Sequence, residues 1–235
     1  MQRSTLDVDY SGYSRDPDAL RVPVDGFDPS PIGALDEPDD APVAGTSDEP
    51  LAAVEHRRIR TLGCYFHEGW TAARPGTWAR RSVVDRLATV AEGLPEGFGL
   101  AVFDAWRPLG LQRELFEAAA CDARVPPGCI AEPETDPARP PAHLTGGAVD
   151  LTLTWRGAPL ALGTGFDDFR PDSHTGAFED RPGTVRDLRR GLVAAMRRAD
   201  FIVLDIEWWH FEFGTRRWAA IRDRPCRYGP ADPGS

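Results

Sequence analysis

The feature that most constrains this chain is the run from Phe201 to Phe213, which reads FIVLDIEWWHFEF. Its β-branched and aromatic residues are typical of a buried strand. Glu207 and His210 nevertheless lie inside it, three residues apart, and side chains at that spacing on a regular strand point to opposite faces. The run therefore predicts a strand pair or a bent strand. A bulge or bend near Trp208 and Trp209 is needed if both polar side chains are to reach one point.

A second polar pair lies about sixty residues earlier, in the segment PAHLTGGAVDLTLT. His143 precedes two glycines that permit a sharp bend, and Asp150 lies in the alternating, β-branched segment that follows. Catalytic zinc sites use three protein ligands from His, Asp or Glu and leave a fourth position for water. The two polar pairs are therefore predicted to meet around one zinc ion. Each pair alone has a plainer interpretation, as a loop or interface histidine and a solvated or sheet-bonded carboxylate.

The acidity of the chain is confined to its N-terminal segment. The 235 residues carry 37 acidic and 27 basic side chains, a net charge of −10. Residues 1–50 hold twelve of the acids, three arginines and seven prolines, with no sustained helical or strand period. We therefore expect an irregular or disordered arm at 1–50, a catalytic domain at 51–228 and a frayed tail at 229–235.

The charge and hydropathy patterns exclude several classes of function. Because residues 51–235 are nearly neutral and show no basic stripe, nucleic acid is not an expected partner. All 27 basic residues are arginine, which rules out a Schiff-base or phosphate-loop lysine. The chain shows no apolar leader and no apolar run of 18 residues, so a soluble, cytoplasmic protein without a membrane partner is expected. The sequence leaves its oligomeric state open.

Hydrophobic periodicity predicts a mixed fold. Helices are predicted at 78–94, from Pro108 onward, and at 185–198, and strands at 57–66, 98–103 and 148–154. These elements do not alternate as regularly as a parallel βαβ fold requires, and no glycine-rich phosphate loop follows a strand. We therefore predict an α+β fold in which an antiparallel sheet has helices packed on one side.

Four segments occur in an order found in a known family. PAHLTGGAVDLTLT and IEWWHFEF match the SxHxxGxAxD and ExWH signatures of the zinc D-alanyl-D-alanine dipeptidases. FDAWRP and LGTGFDDF resemble the (W/Y)DxYRP and MGTxFDxF elements of the same family. The chain thus resembles peptidase family M15, typified by the vancomycin-resistance dipeptidase, over roughly residues 60–215. The resemblance implies a fold like that of Hedgehog and the D,D-peptidases, with a single zinc site.

The resemblance also implies a role for each matched residue. The implied ligands of one zinc ion per chain are His143, Asp150 and His210. Glu207 would be the general base that takes a proton from water and passes it to the leaving amine. Arg107 would polarise the scissile carbonyl and stabilise the oxyanion, and Asp167 would hold the free ammonium of a dipeptide. Structural alternatives for these last two are an ion-pairing arginine and a turn-capping aspartate.

Three departures from the family pattern affect the expected substrate. Pro141 stands where the family has a serine expected to contact substrate, CYFHEGW replaces an expected NFxG element, and the acidic arm is atypical. The prediction is therefore zinc-dependent hydrolysis of a small dipeptide, D-alanyl-D-alanine or a related one. The alternatives are a carboxypeptidase or hydrolase acting on another peptide-like substrate in cell-wall or specialised metabolism, a zinc-binding module without catalysis, and a structural domain without metal.

Overall fold

A six-stranded sheet forms the centre of the protein. The computed structural model describes residues 21–35, 37–38 and 41–234. Within these residues the elements are β1 Leu51–Ala53, β2 Ile59–Thr61, α1 Cys64–His67, β3 Trp78–Arg80, α2 Arg81–Gly93, β4 Phe98–Asp104, α3 Leu109–Ala120, β5 Ala148–Trp155, β6 Ala158–Pro159, α4 Thr184–Arg198, β7 Ile202–Val203, β8 His210–Glu212 and α5 Arg216–Arg222. Short 3-10 turns cover His143–Thr145 and Pro171–Ser173.

The strand order confirms the predicted α+β class. The main sheet runs β2-β4-β5-β8-β7, with β6 paired to β5, and β1 and β3 form a separate antiparallel pair. All pairs in the main sheet are antiparallel except β2 with β4. That parallel pair is possible because α1, β3 and α2 lie between the two strands and give the chain room to cross over.

Strands β4 and β5 are the buried centre of the sheet. Leu100 pairs with Leu153 and Val102 with Leu151, and all four side chains are fully buried. Complete burial of such a side chain contributes roughly 1.5–3 kcal/mol relative to exposure. This central pair fixes the position of the polar residues at the ends of both strands.

Helices α2, α3 and α4 follow the predicted periodicity, with one change at a boundary. The strand predicted at 57–66 is shorter, because only Ile59–Thr61 pairs as a strand and Cys64–His67 forms helix α1. Helix α2 packs on β4, and α4 packs on β7 and on α2. The helix predicted from Trp78 begins only at Arg81, because Trp78–Arg80 pairs as a strand with Leu51–Ala53. Tertiary pairing overrides local helical preference there. No helix in the described part of the chain is long and apolar enough to cross a membrane.

The N-terminal arm packs against the domain from residue 21 onward, apart from the positions outside the described ranges. Residues 1–20 of the predicted arm lie outside the described residues. Residues 41–50 and the described residues before them contain no helix or strand, yet Ile32 is buried and its carbonyl accepts a 2.6 Å hydrogen bond from Arg197. Phe27 lies edge-on to Phe98, with 4.8 Å between ring centroids.

The C-terminal segment also contacts the domain. Helix α5, which the sequence analysis did not predict, is capped by Thr215, whose hydroxyl accepts from the Trp218 amide at 3.2 Å. Beyond it Tyr228 is fully buried. In the segment predicted to be a frayed tail, Ala231 donates to Leu144 O at 3.0 Å and accepts from Trp106 Nε1 at 2.8 Å.

Candidate active site and metal centre

The register between β5 and β8 brings Asp150 beside His210. These two residues are direct partners across the antiparallel pair. On the other side of β5, Asp104 pairs with Asp150 at a register shift that skips Phe103. Such an irregularity changes the direction in which neighbouring side chains point. One end of the central sheet therefore carries three polar side chains on three adjacent strands.

The strand is interrupted between Glu207 and His210, as the sequence analysis required. Strand β7 ends at Val203 and β8 begins at His210, and the His210 amide donates to Glu207 O at 3.2 Å. This turn replaces the extended geometry that would have pointed the two side chains apart. The Trp208 amide, which donates to Ser173 O at 3.0 Å, fixes the turn to the neighbouring loop.

His143 reaches the same point through the predicted glycine bend. It begins a 3-10 turn that ends at Gly146, which has a φ of 71°. The following Gly147 lies so close to the next strand that a Cβ there would be 2.6 Å from Phe213 O. The bend therefore needs glycine at both positions, one for its backbone angle and one for its close approach.

The three predicted ligands form one buried cluster. Ligand atoms of His143, Asp150 and His210 lie within 4.8 Å of one another. His143 Nε2 is 3.3 Å from Asp150 Oδ2, and His210 Nδ1 is 2.9 Å from Asp150 Oδ1. Two imidazole nitrogens and a carboxylate with this spacing are a donor set that zinc accepts, and three protein donors leave a position open.

The second nitrogen of each histidine is held by a protein acceptor. His143 Nδ1 donates to Ala105 O at 2.6 Å, which leaves Nε2 facing Asp150. His210 Nε2 donates to Glu212 Oε1 at 3.1 Å, which leaves Nδ1 facing Asp150. Hydrogen bonds of this kind fix the tautomer and ring orientation of metal-binding histidines. Glu212 is a residue that the sequence analysis missed, although its position two residues after His210 was a usable signal.

The electrostatics of this cluster favour a positive charge. Burial alone would lower the pKa of His210, but Asp150 and Glu212 raise it to about 10. Burial alone would raise the pKa of Glu212, yet His210 and Arg217 hold it at about 2. The pKa of Asp150 is likewise held well below its usual value by His143 and His210 against the effect of burial. A bound cation would satisfy the same carboxylates.

Glu207 lies beside the cluster, at the outer limit of ion-pairing distance from His210. Its Oε2 is 3.9 Å from His210 Nδ1, and the residue is buried. Burial raises the pKa of Glu207 to about 7, with His210 acting in the opposite direction. A carboxylate at this distance is within reach of a small molecule held between it and the three ligands.

Arg107 approaches the cluster from the end of β4. Its Nε donates to Asp104 Oδ2 at 2.8 Å and its Nη1 to Gln112 Oε1 at 2.9 Å. Its Nη2 makes longer contacts of 3.5 Å, to Tyr65 OH and Asp150 Oδ2. Burial alone would lower the pKa of Arg107, but Tyr65, Asp104 and Asp150 raise it above its ordinary value. The guanidinium is thus rigidly held, with one nitrogen directed into the site.

Asp167 lies in the same cavity, against Tyr65. The Tyr65 hydroxyl donates to Asp167 Oδ2 at 2.8 Å, and both residues are buried. Asp167 has a φ of 56°, an uncommon angle for a residue other than glycine. Burial raises the pKa of Asp167 well above its usual value, although the Tyr65 hydrogen bond lowers it. The sequence analysis missed Tyr65, because nothing in CYFHEGW marks which side chain turns inward.

An aromatic cluster joins three of the four motif segments. Phe103, next to Asp104, stacks on Phe166 with centroids 4.7 Å apart. Phe166 and Phe169 each lie against Trp209, at 5.7 and 6.1 Å. Aromatic pairs at these distances are typically worth roughly 0.5–1.5 kcal/mol beyond their buried area. The cluster therefore fixes the loop that carries Asp167 against the turn that carries Glu207.

All six predicted site residues line one cavity of about 480 Å³. The wall also includes Tyr65, Gln112 and Glu212, together with parts of the 128–142 loop. Pro141, at the position of the family serine, is among the lining residues. The cavity is therefore polar at its base, where the ligands and Arg107 lie, and is of a size that suits a small ligand.

Comparison with known proteins agrees with these features. A family model described as D-ala-D-ala dipeptidase matches residues 79–225. The D-alanyl-D-alanine dipeptidase of Escherichia coli (strain K12) is 33% identical over 117 residues, which are 49% of this chain and 55% of that protein. The D-alanyl-D-alanine dipeptidase of Synechocystis sp. is 26% identical over 209 residues, 73% of this chain and 84% of its own length. The match thus spans little more than half of the Escherichia coli relative.

Proposed function

Because the chain belongs to the D-ala-D-ala dipeptidase family of M15 peptidases, we propose that it hydrolyses a small dipeptide with a free amino terminus, using one zinc ion. The observation that carries this proposal is the cluster of His143, Asp150 and His210, with Glu207 beside it. Both relatives described above are named D-alanyl-D-alanine dipeptidase. D-alanyl-D-alanine or a related dipeptide is therefore the substrate we propose.

The protein groups of the site fit a zinc ion. His143 would bind it through Nε2, His210 through Nδ1 and Asp150 through a carboxylate oxygen, since the other imidazole nitrogens have acceptors of their own. When bound, zinc supplies Lewis acidity that brings the pKa of a coordinated water from 15.7 to about 7. One zinc per chain is expected, because the cluster is the single candidate group found among the described residues.

Glu207 is proposed as the general base. Its buried carboxylate, 3.9 Å from His210 Nδ1, lies close enough to the ligands to accept a proton from a water molecule held by them. The same carboxyl group then donates that proton to the leaving amine. Positioned acid–base groups of this kind typically contribute roughly 10²–10⁴-fold in rate.

Arg107 and Asp167 are proposed to hold the substrate. The Arg107 Nη2 group, with contacts no shorter than 3.5 Å, is available to donate to the scissile carbonyl oxygen as negative charge develops there. Asp167 would pair with the substrate ammonium. Because burial raises the pKa of Asp167, an incoming positive charge would favour its ionised form.

A mutation of the base gives the direct test. Glu207→Ala should keep about one equivalent of zinc but lose hydrolysis of all dipeptides by roughly 10²-fold or more. The panel should contain D,D-, L,D- and L,L-dipeptides and one pentapeptide. Full activity of Glu207→Ala would refute its role as base, and wild-type protein with less than about a tenth of an equivalent of zinc would refute the metal site.

The two other classes make different predictions in the same experiment. A non-catalytic zinc module would bind zinc and cleave none of the peptides, whereas a carboxypeptidase would prefer the pentapeptide to the dipeptides. The presence of Glu207 and Arg107 at the cluster favours catalysis, because a structural zinc site is usually closed by four protein ligands.

A further inference from the structure

Residues 41–47 of the N-terminal arm lie beside the mouth of the cavity and outside the family match. The match begins at residue 79, so this segment lies before the matched residues. Ala41 nevertheless lines the cavity, as does Pro38 before it. We call residues 41–47 the arm wall.

The arm wall is fastened to the domain on the side of helix α5. Arg216 donates to two of its carbonyls, to Pro42 O at 2.6 Å through Nε and to Ala41 O at 2.8 Å through Nη2. Arg216 also lines the cavity. One side chain therefore joins the arm wall to the edge of the site with two directed hydrogen bonds.

Backbone contacts fasten the rest of the arm wall. The Ala44 amide donates to Ala138 O at 2.9 Å, within the 128–142 loop that also lines the cavity. The Ser47 amide donates to Arg227 O at 3.1 Å. Gly45 lies so close to the C-terminal segment that a Cβ there would be 2.3 Å from Arg227 O. The fit is backbone against backbone at this point, and it leaves no room for a side chain.

A chain of hydrogen bonds and ion pairs connects Asp167 with the arm by way of Asp150 and His210, and Asp167, Pro38 and Ala41 all line the same cavity. It runs from Asp167 through Tyr65 and Arg107 to Asp150, and then through His210, Glu212 and Arg217 to Glu37 of the arm. The zinc ligands lie in the middle of this chain. If Asp167 holds the substrate amino group and the proposed ligands lie at the scissile bond, the carboxyl end of the substrate lies beyond the ligands, and the arm residues Pro38 and Ala41 are candidates to border it.

We infer that the arm wall is a specificity element that excludes peptides extended at the carboxyl side of the dipeptide. This inference rests on the proposed dipeptide hydrolysis. The excluded peptides carry a third residue. It is attached by a peptide bond at the position where a dipeptide ends in a free carboxylate. The arm wall and the 128–142 loop, which are hydrogen-bonded to each other, occupy the space that such a residue needs.

Two variants loosen the arm wall by independent routes. Arg216→Gln removes the paired hydrogen bonds to Ala41 and Pro42, and Gly45→Ala forces the backbone away from Arg227 without touching the cavity lining. The matched control is Arg197→Gln, which removes a similar bond from an arginine to an arm carbonyl, that of Ile32, outside the arm wall. Each zinc-loaded variant is assayed with a dipeptide, with the same dipeptide extended by one carboxyl-terminal residue, and with the N-acetylated dipeptide.

The expected result is a change in the relative use of the tripeptide and the dipeptide. In Arg216→Gln and Gly45→Ala the ratio of kcat/KM for the tripeptide to that for the dipeptide should rise by about tenfold or more, a typical effect of opening one subsite. The ratio should stay at the wild-type value in Arg197→Gln, and the N-acetylated dipeptide should remain uncleaved throughout. Unchanged ratios in both loosened variants, with dipeptides still cleaved, would overturn this inference alone. Failure of the wild type to cleave any dipeptide would overturn the proposed function as well.

Discussion

Glu212 accepts a hydrogen bond from the imidazole nitrogen of His210 that faces away from Asp150, with its Oε1 3.1 Å from Nε2. The other carboxylate oxygen accepts a short hydrogen bond from the Thr215 hydroxyl, and Arg217 Nε lies 3.6 Å from Oε1. A carboxylate fixed in this way orients the ring and increases the basicity of the nitrogen that faces the metal. Glu212 is therefore a positioning residue for the proposed zinc ligand.

Glu212→Gln should weaken zinc binding by about 10–100-fold, the usual cost of removing such a carboxylate partner. The substitution keeps the shape of the side chain and removes its charge. Zinc affinity is measured by competition with a chromophoric chelator. Glu179→Gln, which changes a partly buried ion pair with Arg190 elsewhere on the surface, is the control and should leave zinc affinity unchanged.

Arg107→Lys should lower kcat/KM for the dipeptide by roughly 10²-fold, as expected for the loss of an oxyanion donor. Lysine keeps the charge but cannot make the separate contacts to Asp104 and Gln112 that direct Nη2 into the site. Steady-state kinetics with zinc content measured in parallel tests this. Arg60→Lys, at an exposed hydrogen bond to Gly157 O, is the matched control. Wild-type kinetics in Arg107→Lys would remove Arg107 from the mechanism.

Asp167→Asn should weaken the use of substrates with a free ammonium by about 10–100-fold, because a charge-assisted hydrogen bond is worth roughly 1.5–3 kcal/mol. The effect should fall on KM more than on kcat. The neighbouring Asp168→Asn provides the control, since Asp168 pairs with Arg170 at 2.6 Å on the surface. Equal losses in the two variants would argue that Asp167 has only a structural role.

Gly147→Ala should destabilise the protein by about 1–3 kcal/mol, the usual cost of forcing atoms into a packed site. The added Cβ would lie 2.6 Å from Phe213 O, directly after the strand β8 that pairs with β5. Gly93→Ala, at the end of α2 with no atom within 4 Å of the new Cβ, should be neutral or slightly stabilising. Urea unfolding of both variants measures the difference.

The sequence predicted the parts of the fold that depend on local pattern. Helices α2, α3 and α4 and strands β4 and β5 follow the apolar period closely. The break between Glu207 and His210 follows from strand parity together with the expectation that both side chains reach one point. The order of the four motifs identified the family. What pattern could not supply was pairing between distant segments, such as Leu51–Ala53 with Trp78–Arg80, which converts a predicted helical turn into a strand.

Among the residues of the site, too, some could be predicted from local pattern, and others depend on how distant segments pack. His143, Asp150 and His210 were predicted from their spacing and from the resemblance, and they lie together in one cluster. Tyr65 and Gln112 were not, because their positions in the site depend on how α1 and α3 pack at the sheet end. The buried Arg189 of α4 donates to three backbone carbonyls of the 162–174 segment, although the apolar period of the helix does not mark this arginine as buried. The hydrogen bonds to its three carbonyl partners compensate the free-energy cost of burying this charged side chain.

Because Asp150 pairs directly with His210, binding of the proposed zinc ion would be coupled to folding. A ligand from each of two neighbouring strands, and a third from the bend before β5, can converge only when those strands are in register. An ion that binds the native chain and not the unfolded chain would shift the folding equilibrium toward the native state by mass action. Free zinc at 100 times its Kd should add about 2.7 kcal/mol to the free energy of unfolding. The midpoint of thermal unfolding should therefore rise with the logarithm of zinc activity. The stability of the central sheet would then depend on the concentration of free zinc.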